Sequence, residues 1–600
     1  MQILHNQLVL AALVTGASTS NSTCKTIPLD INWPSDEQWQ ALNVSIGGTL
    51  IKTAPVASSC YSGNPFNSTT SCEIVTANWT LSQFHAALPE SVDYPLYANS
   101  SCLPPGAGGF TEQKGCSVGG FPEYVVNATS EEQVSIALAW ASERNLRIVV
   151  KGTGHDMNGR SSGAYALSIW THNFKSIEFD PSWPIPGSNA TADIVIAGSG
   201  NNWLRIYNAA ENAGKLVVGG GAPTVGLGGH IQGGGHGPTS SHYGLAADQI
   251  LQIRIITTNG TIYVANAQQN QDLLWAVRGG GAGQYGVVTE YILKAHPAPT
   301  SAALGTLTLF ANGTDNSSIA AAWDAFAVHV AGIPDLMDAG LAGDMTVLSG
   351  SNSGGILRAV HNLYGYNMTA ETMSSIVAPL IAKISAEGAK VNGSVTLSFP
   401  TPREFPNFTT FFSALNPESA TGASGAVSVM SSRLLGREQL NDVPQEQLVG
   451  YLQRALESEV GGGGIMIFGM QGGKGPASVP EDMRGALHSS WRTAYLHAIT
   501  LGAYIDAEAA PQTALASAAK WMNTERETLW QEWAPEMGSY MNEANPYNLN
   551  FKKDYYGSSY ERLVGIKKLY DPTESLFVLT GVGSDGWDYN LNTGKLCKTD

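Results

Sequence analysis

The sequence predicts an α+β protein of more than one domain, and three observations carry that expectation. Helix and strand patterns alternate from Thr129 to about Pro299, interrupted by glycine-dense loops. From about 300 to 510, strand-like runs with apolar residues at alternate positions sit between helical patterns, as in an antiparallel sheet with helices on one face. A chain of 600 residues with 43% hydrophobic content exceeds what one core serves, so roughly two to four domains are expected.

The elements follow in order. Residues 1–18 hold an apolar run from Leu8 to Val14 followed by small residues, which reads as a secretory signal with cleavage near Ala17. Residues 19–116 are rich in Ser, Asn, Pro and Cys with little periodicity, and read as a disulfide-stapled extension. Thr129-Ser-Glu-Glu132 has the spacing of a capping box, and Val134, Leu138 and Ala141 continue it as a helix to about Arg144. A strand at 146–150, a strand at 194–197, a helix at 202–213 closed by Gly214 and a strand at 215–218 come next. Gly219 to Gly237 is too glycine-dense for helix or strand through much of its length. Strands at 250–257 and 261–265 about an Asn259-Gly260 turn, a helix at 271–278 and a strand at 287–293 close the block. Beyond it lie strands at 304–310, 356–364, 394–399, 465–470 and 495–500, helices near 317–330, 371–387 and 444–457, and a helical stretch from Pro511 to about Met537.

Net charge is −17 and only 14% of residues are charged. No basic stripe exists to neutralise phosphates, which argues against nucleic acid or an anionic membrane as partner. No segment after the signal offers about 18 uninterrupted apolar residues, so no membrane span is expected. Export has two further supports. Asn-X-Ser/Thr sequons stand at Asn21, Asn43, Asn67, Asn78, Asn99, Asn127, Asn189, Asn259, Asn312, Asn316, Asn367, Asn392 and Asn407. Six cysteines, an even number, follow the cleavage site and permit 15 pairings. Short loops favour Cys60 with Cys72 and Cys102 with Cys116, leaving Cys24 with Cys597.

Three glycine loops, at 152–163, 219–237 and 279–286, fall within one block. Glycine lets backbone N–H groups approach a phosphate closely, which suits an acidic protein that binds a pyrophosphate. Gly281-Ala-Gly-Gln-Tyr-Gly286 matches GxGxxG but follows a helix and precedes a strand, the reverse of the dinucleotide fingerprint, so a nicotinamide fold is rejected. His230, His236 and His242 recur at a spacing of six without a ligand-presenting motif, and no metal is expected.

Five segments carry a resemblance. They are Lys151-Gly-Thr-Gly-His155-Asp-Met-Asn-Gly, the run from Gly221 to Gly235, Tyr243-Gly-Leu-Ala-Ala-Asp248, the run from Leu274 to Val288, and the tail from Tyr560 to Pro572. Together they resemble the FAD-linked oxidases of the vanillyl alcohol oxidase/p-cresol methylhydroxylase superfamily, the tail being similar to the berberine-bridge-enzyme module. Gly159-Arg-Ser-Ser-Gly163, Leu167-Ser-Ile-Trp-Thr-His172 and Gly581-Val-Gly-Ser-Asp-Gly-Trp587 resemble its fungal isoamyl-alcohol-oxidase-like branch. The resemblance implies a two-part FAD-binding domain of the PCMH type, formed by 117–299 and the returning segment 531–600, with a substrate domain at 300–530.

Residue by residue, it implies a single covalent link from FAD to His155, because Ala222 stands where doubly linked relatives carry cysteine. Val225 matches the place where valine leaves room for dioxygen. Further FAD contacts are implied at Gly152, Thr153, Gly154, Asp156, Asn158, Gly159, Thr224, Gly228, Gly229, Gly234, Gly235, Tyr243, Gly244, Val287 and Val288. Tyr540 and Asn542, in a Tyr-x-Asn pattern, are the catalytic candidates, with Trp170 and His172 weaker ones. The carboxylate base of plant relatives has no counterpart, since the matching stretch reads Phe468-Gly-Met-Gln471-Gly-Gly. The implied activity is hydride transfer from an alcohol-like small molecule to flavin, with dioxygen giving hydrogen peroxide. Oxidative cyclisation or desaturation of a secondary metabolite, and a non-enzymatic secreted glycoprotein of the same fold, are the alternatives. Substrate identity and oligomeric state have no signature in the sequence.

Overall fold

A computed structural model describes residues 24–417, 424 and 428–599. The signal at 1–18 and the sequon at Asn21 lie outside the described residues.

The first sheet has the strand order Leu50–Lys52, Tyr124–Asn127, Leu167–Trp170, Ile148–Lys151. Its first pair is antiparallel and the others parallel. Helix Glu131–Glu143 covers it, burying Val134, Ala137, Leu138 and Ala141. Its N-cap is Ser130, one residue later than the sequence suggests, because Ser130 Oγ accepts from the Gln133 amide while Gln133 Oε1 accepts from the Thr129 amide. The N-terminal extension is not merely an appendage. Helix Asp36–Ser45 inserts Trp39 and Leu42 into the core of this sheet, and Leu50–Lys52 pairs with Tyr124–Asn127. Their apolar spacing is masked by a polar average composition.

The second sheet runs Ile177–Pro184, Thr191–Gly198, Val287–Pro297, Ile250–Ile256, Ile262–Asn266, with Lys215–Val217 also paired to Val287–Pro297. All its pairs are antiparallel, so the helix–strand alternation of the sequence does not produce a parallel sheet here. Gly281–Gly286 does link helix Gln271–Val277 to strand Val287–Pro297, the order that argues against a dinucleotide fingerprint. Within the glycine-rich 219–237 run a short helix, Leu227–Gln232, does form, because Leu227 and Ile231 are fully buried and tie it to the core.

The third sheet, eight-stranded and antiparallel, runs Val395–Ser398, Ala302–Ala311, Arg358–Tyr366, Ala342–Leu348, Ile465–Gly469, Ala494–Leu501, Met430–Gly436, with Arg403–Phe405 added to Ala302–Ala311. Helices Asn316–Asp338, Ala370–Gly388 and Gln445–Ala455 pack around its core. Asn316–Asp338 is long and apolar enough to cross a bilayer, yet its apolar face is filled by Phe326, Val330 and Ile333 in that core. The chain then returns through helix Tyr560–Tyr570 and a hairpin of Trp587–Tyr589 with Leu596–Lys598. The cysteines pair as short loops favour: Cys60 with Cys72, Cys102 with Cys116, and Cys24 with Cys597 across 573 residues.

Candidate functional site

A cavity of about 370 Å³ lies where loop 152–161, the 220–232 segment, residues 282–288 and the tail 540–543 converge. Strand Ile148–Lys151 delivers the first loop, and Trp170 Nε1 on the adjoining strand donates to the Gly152 carbonyl at 3.2 Å, fixing where it leaves the sheet. Gly154 has φ +81°, and a Cβ there would stand 2.8 Å from Lys151 Cε, so only glycine lets the loop turn this close.

The walls suit an anionic, flat cofactor. Gly152, Gly221, Gly228 and Gly229 line the cavity, and a Cβ on any of them would meet no protein atom closer than 3.9 Å. Bare backbone therefore faces the open space, where a diphosphate could approach N–H groups without competing with side chains. Val225 and Val288 supply an apolar portion.

Of the residues implied by sequence, Gly152, Thr153, Gly154, His155, Asp156, Ala222, Val225, Gly228, Gly229, Val288, Tyr540 and Asn542 line this cavity. Others do not reach it. Asn158 is buried and donates to the Met541 carbonyl at 3.1 Å, tying the loop to the tail. Gly159 has φ +73° and leaves no room for a side chain against Tyr97. Gly234 and Gly235 turn the chain against Tyr540 and His230, and Val287 belongs to the core of the first sheet. Thr224 is not in the wall, and Tyr243 packs on His296 at 4.2 Å with Gly244 following it. Trp170 supports Gly152 from behind, and His172 stacks on Trp170 at 4.6 Å. His242 is held by the Gly340 carbonyl.

Four further residues emerge from the structure. Arg160 lines the cavity, pairs with Asp156 and donates to Asn542 Oδ1 at 2.8 Å. Asn542 Nδ2 donates in turn to Tyr540 Oη at 2.7 Å and to the Gly229 carbonyl at 3.1 Å, so one amide joins three segments. His236 Nε2 lies 2.9 Å from Glu543 Oε2, and buried His497 brings Nδ1 to 3.5 Å from the same oxygen. Burial pushes Glu543 up, but the charge and hydrogen bond of His236, with His497 and His230, outweigh it and hold the carboxyl at about 2. An ionised carboxylate only accepts, so the hydrogen on this contact belongs to His236 Nε2. Burial drives His497 down to about 3 and His230 to about 4, leaving both neutral near neutral pH. Tyr540 packs edge-on against His236 at 4.8 Å, and burial raises its hydroxyl far above the usual value.

His236, His497 and Glu543 also place their ligand atoms within 4.8 Å of one another, a donor set of the kind that takes a divalent metal. Their distance apart in the chain hides this from any sequence motif.

The fold and site define a flavin-dependent oxidoreductase. Residues 122–266 match the model of an FAD binding domain, and residues 539–578 match the berberine and berberine-like model. The FAD-linked oxidoreductase apf9 of Gibberella fujikuroi is 35% identical over 98% of this chain and 99% of its own length. The VAO-type flavoprotein oxidase VAO615 of Thermothelomyces thermophilus is 32% identical over 98% of each. A crystal structure of a VAO-type flavoprotein from Myceliophthora thermophila superposes with a TM-score of 0.83 at 30% identity, covering 96% of this chain and 100% of the other. The chain belongs to the VAO-type family of FAD-linked oxidoreductases that carry a berberine-like C-terminal segment.

Proposed function

We propose that the protein is an exported, glycosylated oxidase that holds FAD through one covalent bond at His155 and oxidises an alcohol-like small molecule. The observation that carries this reading is the shared cavity: His155, Val225 and the bare glycines line it together with Tyr540, His236 and Glu543. A relative described as a flavoprotein oxidase supports the oxidase assignment. FAD, when bound, accepts the hydride and passes the electrons to dioxygen, which leaves as hydrogen peroxide.

The protein's own groups orient substrate and manage the proton. Tyr540 and the pair of His236 with Glu543 border the space a substrate hydroxyl would enter. As the carbon gives up hydride, its hydroxyl must lose a proton, and the hydrogen-bonded pair of His236 and Glu543 borders the place where that proton leaves. Arg160 keeps a cation on the cavity wall, anchored by Asp156 and Asn542. Ala222 offers no thiol, and all six cysteines are in disulfides, so a second link to the flavin, through a thioether, has no donor. Export is supported by those disulfides and by exposed sequon asparagines such as Asn189, Asn259, Asn312 and Asn392.

Acid precipitation of the purified protein tests the link. A yellow pellet whose digest contains one flavin peptide, bearing His155 and none of 219–237, is expected. Colour released to the supernatant would remove the covalent claim, and a cross-link joining both segments would remove the single-link claim.

A further inference from the structure

Behind His155, away from the cavity, lies a carboxylate that the site does not use. Asp93 comes from the N-terminal segment, outside both regions that match family models. It is 1% exposed, and among the described residues neither carboxyl oxygen has a hydrogen-bond partner. An orphaned buried carboxylate costs several kcal/mol by about the amounts seen for buried charges, so a working partner is expected. The nearest polar hydrogen is on His155: Asp93 Oδ2 stands 3.8 Å from His155 Nε2, an ion-pair distance that a shift of about 1 Å closes to a hydrogen bond.

The surroundings fix this placement. The Asp93 amide donates to the Gly154 carbonyl at 3.1 Å, which locks the segment to the loop that carries His155. Buried Lys151 donates to the carbonyls of His85, Leu88 and Pro89 and clamps the same segment from below. Four titratable groups face Asp93: His155, Lys151, His85 and Tyr94. His85 has both ring nitrogens engaged, by Ser91 and the Trp79 carbonyl, and Lys151 spends its hydrogens on carbonyls. Among the described residues, the side chain that forms an ion-pair contact with the carboxylate is His155.

We propose that Asp93 is the positioning residue for covalent attachment of FAD at His155, holding the Nε2 hydrogen so that Nδ1 presents its lone pair to the flavin 8-methyl carbon. This rests on the reading of His155 as the attachment point. In the step, a bond forms between Nδ1 and that carbon, the methyl group loses one hydrogen as a proton, and the ring system gains two electrons. The Nε2 proton passes to Asp93, so the linked histidine ends neutral. Dioxygen then takes the two electrons and two protons as hydrogen peroxide, restoring oxidised flavin. A carboxylate that orients an imidazole and fixes its tautomer is the arrangement that serves other histidine nucleophiles and bases.

The test follows attachment rather than turnover. Full-length wild type, Asp93→Asn, Asp93→Glu and His155→Ala are produced with limited flavin, then incubated with FAD in air. Total and acid-resistant flavin are read over time, with thermal melting alongside. In Asp93→Asn, FAD should bind but the covalent fraction per bound FAD should form at least about tenfold more slowly. Asp93→Glu, which keeps the carboxylate, should restore much of the rate. A folded Asn variant that links FAD at the wild-type rate, or that no longer binds it, overturns the proposal. Should the Asn chain fail to fold, a folded Glu variant without linkage overturns it equally. Acid-resistant flavin in His155→Ala would instead overturn the attachment reading itself.

Discussion

Arg160 donates to Asn542 Oδ1 at 2.8 Å, joining the loop of the first sheet to the returning C-terminal tail across 382 residues. The same amide reaches Gly229 and Tyr540, so one side chain of the cavity wall ties together three segments that line it. Asn542→Ala removes all three bonds and leaves Arg160 with one partner fewer in a largely buried site. Stability should fall by about 1–3 kcal/mol, with weaker retention of FAD where the link to His155 is absent. Thermal melting and flavin content of Asn542→Ala in a His155→Ala background check this; unchanged values would make the amide a bystander.

Glu543→Gln keeps the shape of the site but exchanges an acceptor for a group that both donates and accepts. Because His236 donates to Glu543, the variant should still fold and bind flavin, while reduction by an alcohol substrate slows by about a hundredfold or more. Dialysis against EDTA should leave the wild-type rate unchanged. A rate lost with EDTA and restored by zinc would assign His236, His497 and Glu543 to a metal instead.

Val225 lines the cavity and packs against the second core. After anaerobic reduction by dithionite, Val225→Leu should reoxidise in air more slowly than wild type, while artificial electron acceptors serve both. Overpacking could cost about 1–3 kcal/mol, so melting is compared in parallel. Equal reoxidation in a folded variant would mean that oxygen arrives by another route.

Acid sensitivity has an identifiable source in the third sheet. His329 Nε2 and His361 Nδ1 lie 2.9 Å apart with both rings fully buried. Burial lowers His329 from 6.5 to about 4, so the unfolded chain binds a proton there that the fold does not. Its contribution is present above pH 6.5 and is lost as pH falls towards 4. Burial raises Asp344 to about 6 and Glu527 to about 7, which acts in the opposite sense, so the comparison must be between chains. Between those limits His329→Gln should lose stability less steeply than wild type, by up to about 1.4 kcal/mol per pH unit. Denaturation midpoints across that range decide; parallel slopes would contradict it.

Much of this was legible from sequence where the signal is local. Strand Ala302–Ala311 alternates buried and half-buried residues from Ala303 onward, and helix Trp203–Asn212 begins at the Asn202 cap, both visible as patterns. His155, Val225 and Tyr540 sit in contiguous motifs and do meet at the cavity. Strand Met430–Gly436 was hidden because Ser431, Ser432 and Arg433 read as surface residues, yet all are buried. Their partners come from far along the chain: Ser431 donates to Glu527 at 2.8 Å and Arg433 pairs with Asp554 at 2.8 Å. The cluster of His236, His497 and Glu543 escaped for the same reason, since three distant segments supply one site. Asp93 escaped because its neighbourhood is polar and aperiodic, and only the fold brings it to His155.

Flavin absorbance of the purified wild type reports whether this cavity couples alcohol oxidation to dioxygen. A panel of primary and secondary alcohols is added without oxygen, and air is then admitted with peroxide detection. At least one alcohol should bleach the flavin, and air should restore it quickly, with one peroxide per flavin. Reduction by no alcohol in the panel, or a reduced flavin that air restores only slowly and without peroxide, would contradict that coupling.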